Sequence, residues 1–301
     1  MAAPSGPPTR PFHYGGQALI EGVMIRGRTH YAVAVRQPDG AIFVRTEPLN
    51  SPLARSKLAG LPFIRGVLVL YETLSLGIKA LTLSAAVAAG QQAEVGPALV
   101  WPVLVSSLAI ALAAFFMGPA LLTHWLGALL PDPIFVNLAE GLVRLGLLLG
   151  YIVAIGHLPE IRRVFAYHGA EHQAVHALEA GAPLRPEVAL GFSTAHPRCG
   201  TAFLLTVMVL AVFVFAWLGD PPLPLKLLSR VALVPLVAAV AYEVIRFGAA
   251  HVRNPLVRLL LVSPGLWLQR LTTRKPDPDQ VEVALAALQA ALKADGLPAE
   301  A

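Results

Sequence analysis

The sequence predicts a mainly α-helical integral membrane protein: a four-span helical bundle with interfacial amphipathic helices and a small N-terminal cytoplasmic β-unit. Three observations support this fold class. The chain of 301 residues is 56% hydrophobic and only 14% charged, whereas soluble domains carry about 25% charged residues. Four apolar segments have close to the length that a bilayer requires. Basic residues are concentrated in alternate connections between these segments.

The positive charge of the chain indicates a membrane surface as its partner. The formal net charge is +5 and the isoelectric point is about 9.6. In a polytopic membrane protein, basic residues hold the inner face against anionic lipid. We therefore expect membrane lipid as a partner and no nucleic acid. The single cysteine, Cys199, excludes an intramolecular disulfide.

The N-terminal region predicts a disordered segment followed by strands. Residues 1–12 are rich in Pro and Gly, a composition typical of disorder. Residues 13–50 alternate apolar and polar around the turn letters PDG at 38–40, which predicts a cytoplasmic β-unit. Residues 51–97 have a helical pattern in which charged residues recur every seven positions. We expect interfacial or bundle-packed helices there, although 58–90 also resembles a poor membrane span.

Residues 98–250 are predicted to form the membrane bundle with a cytoplasmic loop at 162–200. The spans expected in chain order are Val100–Leu122, Leu142–Ile161, Thr201–Leu218 and Val231–Phe247. The tail at 251–301 is predicted to hold an interfacial helix broken at Pro264-Gly265 and an amphipathic helix over Pro278–Ala294. The absence of an internal repeat weakens the interpretation as a transporter or channel.

The distribution of basic residues predicts the orientation. Residues 1–97 hold nine Lys and Arg residues, the connection 123–141 holds none, and the connection 162–200 holds four. Because basic loops stay on the cytoplasmic side, we expect both termini and the 162–200 loop in the cytoplasm. The expected location is the bacterial inner (plasma) membrane, with several passes.

A histidine-rich helix carries the strongest chemical signal. The letters HGAEH at 168–172 place His168 and His172 four residues apart on one helical face, with Glu171 beside them. This is the inverted zincin order, in which two imidazoles bind one metal ion and the carboxylate activates water. His176 and Glu179 extend the same face. The alternative is the polar face of an ordinary amphipathic helix.

A second element strengthens the metal interpretation. The letters HPRCG at 196–200 give His196 and Cys199 a ligand-like spacing just before the third span, on the same predicted face of the membrane. Mixed His and Cys ligands indicate zinc, or iron, rather than magnesium. The candidate ligands are therefore His168, His172, His196 and Cys199, with Glu171 as the catalytic base. The alternative for Cys199 is a small buried side chain at a helix start.

Two further carboxylates lie in unusual surroundings. Glu243 is near the inner end of the fourth span, where it could pair with Arg246 or supply a missing metal ligand. Whether His176, Glu179 or Glu243 completes the site stays open at this point. Glu21 lies among glycines, and no partner can be assigned to it from the sequence.

Taken together, these stretches resemble the bacterial YqhQ-like family of membrane proteins. The matching stretches are GGQALIEGVMIRGR, LPFIRGVLVLYETLSLGIKAL, YHGAEHQAVHALEAG, HPRCGTAFLL and LWLQRLTTRKPDPDQVEVALAAL, from about residue 15 to 292. The family is a domain of unknown function described as predicted metal-dependent enzymes. The resemblance implies a polytopic inner-membrane protein with a metal site, and it implies no particular reaction.

Two functions follow as expectations. The first is a zinc-dependent hydrolase that acts at the cytoplasmic membrane surface on a lipid-linked or membrane-protein substrate. A variant of it is a thiol hydrolase in which Cys199 is the nucleophile and a histidine is the base. The second is a non-catalytic membrane scaffold that docks a translocation or insertion complex.

Overall fold

A computed structural model describes residues 12–49, 61, 63–91, 96–126, 132–219 and 221–298. Its first elements form an antiparallel meander with strand order β1-β2-β3-β4. Residues 1–11, most of the segment expected to be disordered, lie outside the described part. The four strands are β1 (Gly15–Leu19), β2 (Gly22–Arg26), β3 (His30–Arg36) and β4 (Ile42–Pro48).

The predicted hairpin is confirmed between β3 and β4. Val35 pairs with Phe43 and Arg36 with Ile42, and the Gln37 N–H donates to the Ala41 carbonyl at 2.8 Å. Gly40 has a φ of 88°, a conformation that glycine adopts without steric cost. The turn chemistry of the letters PDG therefore sets the register of this pair.

Helices make up most of the remaining chain. A π-turn at Ala113–Met117 joins α2 to α3, and another at Arg258–Val262 joins α10 to α11. Along the chain the helices are α1 (Ile64–Ala88), α2 (Pro97–Leu112), α3 (Gly118–Leu126), α4 (Pro133–Ile155), α5 (Pro159–Glu179), α6 (Pro186–Ala189), α7 (Thr201–Ala216), α8 (Leu223–Ala232), α9 (Val234–Ala250), α10 (Pro255–Val257), α11 (Ser263–Thr272) and α12 (Pro278–Ala294).

The sheet is covered by helices on both faces. Alternate residues of β2 and β3, such as Val23 and Ala34, pack against α5 and α12. The opposite residues, such as Met24 and Val33, pack against the second half of α1. Period-two alternation of apolar residues allows both faces to be buried in this way. The C-terminal helix α12 therefore shares a core with the N-terminal sheet.

A separate core holds the apolar helices together. Side chains from α4, α7 and α9, including Leu148, Met208 and Val237, form this cluster. Three helical stretches of the described chain are long and apolar enough to cross a bilayer, namely Ile64–Ala88, Val100–His124 and Pro133–Ile155, and a bent pair brings the count to four. The mainly helical architecture with three or four apolar helices and a small sheet agrees with the prediction at this level.

The observed helices differ from the predicted spans in their bounds. The second begins at Pro133, nine residues before Leu142, because Asp132 caps it and Pro133 takes its first position. The third, α7, has only 16 residues. The fourth consists of α8 and α9, which meet at an angle of 41°. Pro235 lies at the start of α9, where its missing N–H interrupts the helical hydrogen bonds.

Two carboxylates that lie in unusual sequence surroundings have partners far away in the chain. Glu243 is hydrogen-bonded to Arg65 of α1, whose Nε lies 2.7 Å from Oε1, while the charge of Arg246 also acts on it. Glu21, at the β1–β2 turn with a φ of 52°, accepts two hydrogen bonds of 2.5 Å from the Arg163 guanidinium of α5. The Glu21 carboxylate thus fixes the sheet to α5, because this two-point geometry specifies orientation.

A buried charge cluster joins α4 to α8, which the sequence analysis did not identify. Glu140 accepts from Arg144 Nη2 at 2.5 Å and from Arg230 Nε at 2.7 Å. Lys226 Nζ lies 3.9 Å from the same carboxylate. All four residues are at most 1% exposed, and the Phe215 ring packs 4.4 Å from the Arg230 guanidinium carbon. One carboxylate is therefore shared by three cationic side chains inside apolar helices.

The Asp295 carboxylate should stabilise the contact between α12 and the sheet. Burial raises its pKa, but hydrogen bonds from Thr29, the Arg28 N–H and Tyr14 outweigh burial and lower the pKa to about 2 from 3.8. Since the folded pKa is depressed, this stabilisation is complete above about pH 4 and is lost as the pH falls toward 2. Because the group is partly exposed, we expect Asp295→Asn to cost only about 1 kcal/mol at pH 7.

Thermal unfolding in detergent from pH 7 to 3 tests the Asp295 prediction, with the exposed Glu187→Gln variant as control. The Asp295→Asn variant should melt about 2 °C lower at pH 7, and the difference should narrow to about half at pH 3. A gap between the two curves that stays constant with pH would contradict this role of the carboxylate.

Candidate metal centre

The helix that carries the histidines begins at a proline and ends just before a glycine. Pro159 occupies its first turn, and Gly181 follows its end with a φ of 62°. The helix α5 is hydrophilic in sequence yet deeply buried, because the sheet and α12 pack against one side of it. Its polar side chains must therefore find partners inside the protein.

Three of the predicted ligands converge on one point. Ligand atoms of His168, His172 and Cys199 all lie within 4.8 Å of one another. The shortest of these separations is 3.1 Å, between His168 Nε2 and Cys199 Sγ. Cys199 precedes α7, and the Thr201 N–H points at its sulfur at 3.5 Å. The N-terminal end of an apolar helix thus holds the thiol against two imidazoles of α5.

Backbone carbonyls fix the tautomers of both imidazoles. His168 Nδ1 lies 2.9 Å from the Thr272 carbonyl oxygen, and His172 Nδ1 lies 2.6 Å from that of Thr194. A carbonyl oxygen can only accept, so in each neutral ring Nδ1 carries the proton and Nε2 keeps its lone pair. Such a second hydrogen bond is the usual way in which a metal-binding histidine is oriented. The His168 lone pair consequently faces the sulfur of Cys199 at 3.1 Å, and the His172 lone pair faces Glu171 Oε2 at 3.5 Å.

Glu171 is buried beside this group. Its Oε1 accepts the Gly16 N–H of β1 at 2.9 Å, and its Oε2 lies 3.5 Å from His172 Nε2. Burial raises the pKa of the Glu171 carboxyl above its usual value, while His168, the Gly16 N–H and His176 oppose the increase. A carboxylate oxygen that faces an imidazole lone pair requires a proton or a cation between them.

His196 belongs to a second group, formed with His176 and Glu179. Its Nε2 is 3.4 Å from Glu179 Oε2, and Glu179 also pairs with the Arg198 guanidinium. Burial, with the nearby charges of His176, His172 and His13, lowers the pKa of His196 to about 3. The ring is therefore neutral at physiological pH and donates to a carboxylate that Arg198 already neutralises.

The two groups differ in what their donor atoms face. In the second group, the Arg198 N–H reaches His196 Nδ1 at 3.3 Å and His176 Nε2 donates to the Ala195 carbonyl at 2.9 Å. In the first group, His168 Nε2 faces the sulfur of Cys199 at 3.1 Å, and His172 Nε2 faces a carboxylate oxygen of Glu171 at 3.5 Å. A cation can replace the proton that each of these two contacts requires, so the donor set of the first group suits a bound cation, whereas the second group is hydrogen-bonded to the loop.

Two residues that were not among the predicted site residues hold the site together. Gln269 of α11, which is 1% exposed, accepts the His196 N–H at 2.8 Å and donates to its carbonyl at 2.9 Å. Gly169 lets the chain after α11 approach α5, since a Cβ there would lie 2.2 Å from the Arg274 carbonyl oxygen. Gly169 lies inside the HGAEH stretch, whereas Gln269 lies 70 residues after Cys199 and has no local sequence signal.

A cavity opens at the first group. It has a volume of about 380 Å³ and is lined by residues of β1, α1, α5 and the turn before α7, among them Gly16, Thr73, His172 and Cys199. Of the predicted site residues, His168, Glu171, His172, His196 and Cys199 all line it. Glu243 does not belong to either group and is bound to Arg65 instead.

The fold and the site define a class of protein. It is a mainly helical chain with three or four apolar helices and a small sheet. It has a cavity that is lined by histidine and cysteine side chains. The chain belongs to the DUF1385 family of proteins of unknown function, whose profile matches residues 61–294. It is similar to the uncharacterized protein YqhQ of Bacillus subtilis, at 35% identity over 94% of this chain and 93% of the relative. The YqhQ-like resemblance is thus confirmed. No solved structure matches the chain.

Proposed function

We propose that the protein is a metal-dependent hydrolase of the bacterial plasma membrane that acts at the cytoplasmic surface. The observation that carries the proposal is the convergence of one ligand atom each from His168, His172 and Cys199 within 4.8 Å of one another. Three protein ligands are typical of catalytic zinc, because the fourth position stays open for water or substrate. Because His196 belongs to the second group, it does not occupy the fourth coordination position of a metal ion bound by the first group.

The donor set favours zinc, with iron as the alternative. Imidazole nitrogen and thiolate sulfur are ligands that both metals accept, and neither is preferred by magnesium or calcium. Zinc at this position would supply Lewis acidity and an activated water near neutral pH. The ligand geometry needs only small side-chain rotations, since Zn–N and Zn–S distances are about 2.0–2.3 Å.

Glu171 is the base in this proposal. Its carboxylate lies beside His172 at the cavity wall and is held by the Gly16 N–H. This position lets Oε2 accept a proton from a water molecule or donate one to a leaving group. The β1 strand therefore orients the base through its backbone, and the apolar residues Val164 and Val175 line the cavity around the reacting groups.

The membrane location rests on the helices and on the distribution of charge. Three or four helices could cross a bilayer. The connections between the apolar segments are alternately rich and poor in Lys and Arg, as in a membrane protein whose basic loops stay on one side. The second half of α1 packs on the sheet, so we assign the spans to the stretch from α2 to α3 and to α4, α7 and α8–α9. Both termini then lie in the cytoplasm with the sheet, α5 and the candidate metal centre.

Anaerobic purification followed by elemental analysis tests the metal centre. The wild-type chain should carry about one zinc or iron ion, and the His168→Ala variant should carry less than a tenth of it. The His157→Ala variant is the matched control, because His157 is exposed and hydrogen-bonds only to its own helix. Wild-type protein that hydrolyses its substrate without metal would refute the proposal.

One observation favours a second candidate, a thiol hydrolase. His168 Nε2 lies 3.1 Å from Cys199 Sγ, within reach for a histidine base to activate a cysteine nucleophile. Alkylation separates the two candidates. A nucleophilic cysteine should react with iodoacetamide at the same rate with and without a chelator, whereas a metal ligand should react much faster once the chelator is added.

A further inference from the structure

A second cavity of about 430 Å³ lies between the start of α5 and the linker from α11 to α12. We call it the linker pocket, defined by its lining residues Pro159, Arg162, Arg163, Ala166, Arg274, Lys275, Asp277 and Gln280. Four of these eight residues are basic and one is acidic. The pocket does not share a lining residue with the cavity at the candidate metal centre.

Three of the four cations have no ion pair in the described part of the chain. Arg163 is neutralised by Glu21, while Arg162, Arg274 and Lys275 are exposed. The Asp277 carboxylate also lines the pocket, and its negative charge acts on Arg163. With Glu21 and Asp277 set against the four cations, a net charge of about +2 faces one open pocket, which favours an anionic ligand.

The pocket is held in shape by backbone contacts. The Arg274 N–H donates to the Phe165 carbonyl at 2.9 Å, and the absent side chain of Gly169 permits this approach. Thr273 and Pro276 of the linker are buried. The basic side chains therefore project from a fixed backbone, so a ligand would order few additional residues.

The position of the pocket matches the depth of lipid headgroups. The pocket residue Pro159 comes only four residues after Ile155, the last residue of α4. The pocket therefore lies within roughly 10 Å of the end of this apolar helix. Headgroups occupy about 5–7 Å on each side of the hydrocarbon core. Leu158 precedes the pocket residue Pro159, and Trp267 lies seven residues before Arg274. Each of these side chains is 50% exposed, which is typical of apolar and aromatic residues that anchor a protein at a membrane interface.

We propose that the linker pocket binds the phosphate group of an anionic membrane lipid. Arg162, Arg274 and Lys275 would contact the phosphate, and the acyl chains would lie along the end of α4. This inference rests on the membrane location in the proposed function, but not on the metal centre. It assigns to the chain a lipid site that would hold the cytoplasmic unit at a fixed height beside the bilayer.

Native mass spectrometry of the full chain in detergent tests the proposal. The wild type should retain phosphatidylglycerol in preference to phosphatidylcholine. The variant Arg162→Gln/Arg274→Gln/Lys275→Gln should lose affinity for phosphatidylglycerol on the order of 100-fold, because each basic residue near anionic lipid contributes about a factor of five. The control variant Arg253→Gln/Arg258→Gln/Lys293→Gln removes the same charge from exposed positions outside the pocket and should bind like the wild type.

Three outcomes would overturn the proposal. In the first, the two triple variants lose affinity for phosphatidylglycerol equally. In the second, the wild type retains phosphatidylcholine as well as phosphatidylglycerol. In the third, millimolar inorganic phosphate displaces the lipid, which would identify a site for free anions. Metal content and membrane fractionation are measured on the same samples, so that a failure of the lipid site can be told apart from a failure of the metal centre or of the membrane location. A variant that loses lipid but keeps metal, and stays in the membrane fraction, isolates the lipid site from the rest.

Discussion

Replacement of Glu140 by alanine is expected to destabilise the protein by about 3–5 kcal/mol. The Glu140 carboxylate is the shared partner of Arg144 and Arg230 in the core of the apolar helices, and none of the three side chains is more than 1% exposed. Arginine stays charged in proteins, so the variant would bury two guanidinium groups without their counter-charge. A loss of this size is a large part of the total stability of a typical protein.

Thermal unfolding and yield in detergent measure the effect of Glu140→Ala. The matched control is Glu160→Ala, which removes an exposed carboxylate from α5 and should change stability by less than about 0.5 kcal/mol. Replacing Glu140, Arg144 and Arg230 together by Leu, Met and Met should recover much of the loss, since both guanidinium groups are then removed together with their shared carboxylate. Equal melting temperatures for the two single variants would show that water reaches the cluster.

Replacement of Glu171 by glutamine is expected to lower hydrolytic activity by a factor of about 10²–10⁴. The amide keeps the size of the side chain and can still accept the Gly16 N–H through its oxygen, but it cannot take a proton. Metal content and melting temperature should stay close to those of the wild type. This combination separates a catalytic carboxylate from a structural one.

Hydrolysis of an activated ester such as 4-nitrophenyl acetate provides the readout, because such a substrate needs little recognition. The control is Glu179→Gln, which changes a carboxylate of the second group and leaves the first group intact. If Glu171→Gln and Glu179→Gln retain the same rate, Glu171 is not the base. If the wild type binds metal and shows no turnover on any substrate, the scaffold interpretation would explain the cluster as a device that fixes the cytoplasmic loop.

The sequence predicted those features that depend on short spacing. Apolar length and composition predicted the helices, and the letters PDG at 38–40 predicted the β3–β4 turn, because each depends on the local backbone. The four-residue spacing of His168 and His172 placed both on one face of α5 for the same reason. The resemblance in the histidine and cysteine stretches predicted the family.

The sequence could not predict which side chains meet across large separations. His196 lies three residues before Cys199, yet its ring joins His176 and Glu179 because Gln269 of α11 holds its backbone. Glu21 finds Arg163, and Glu243 finds Arg65, across more than 140 residues in each case. These pairs depend on how the sheet and helices pack, and no local spacing encodes that packing.

By itself, the sequence determined that the chain is mainly helical, unusually apolar and rich in histidine at one helix, since composition and periodicity are local properties. Only the tertiary structure decided that the candidate ligands divide into a group around Cys199, whose imidazole lone pairs face a thiol and a carboxylate, and a group around Glu179 that is hydrogen-bonded to the loop. The physical reason is that the availability of a lone pair depends on where the neighbouring carbonyl groups lie, here those of Thr272 and Thr194.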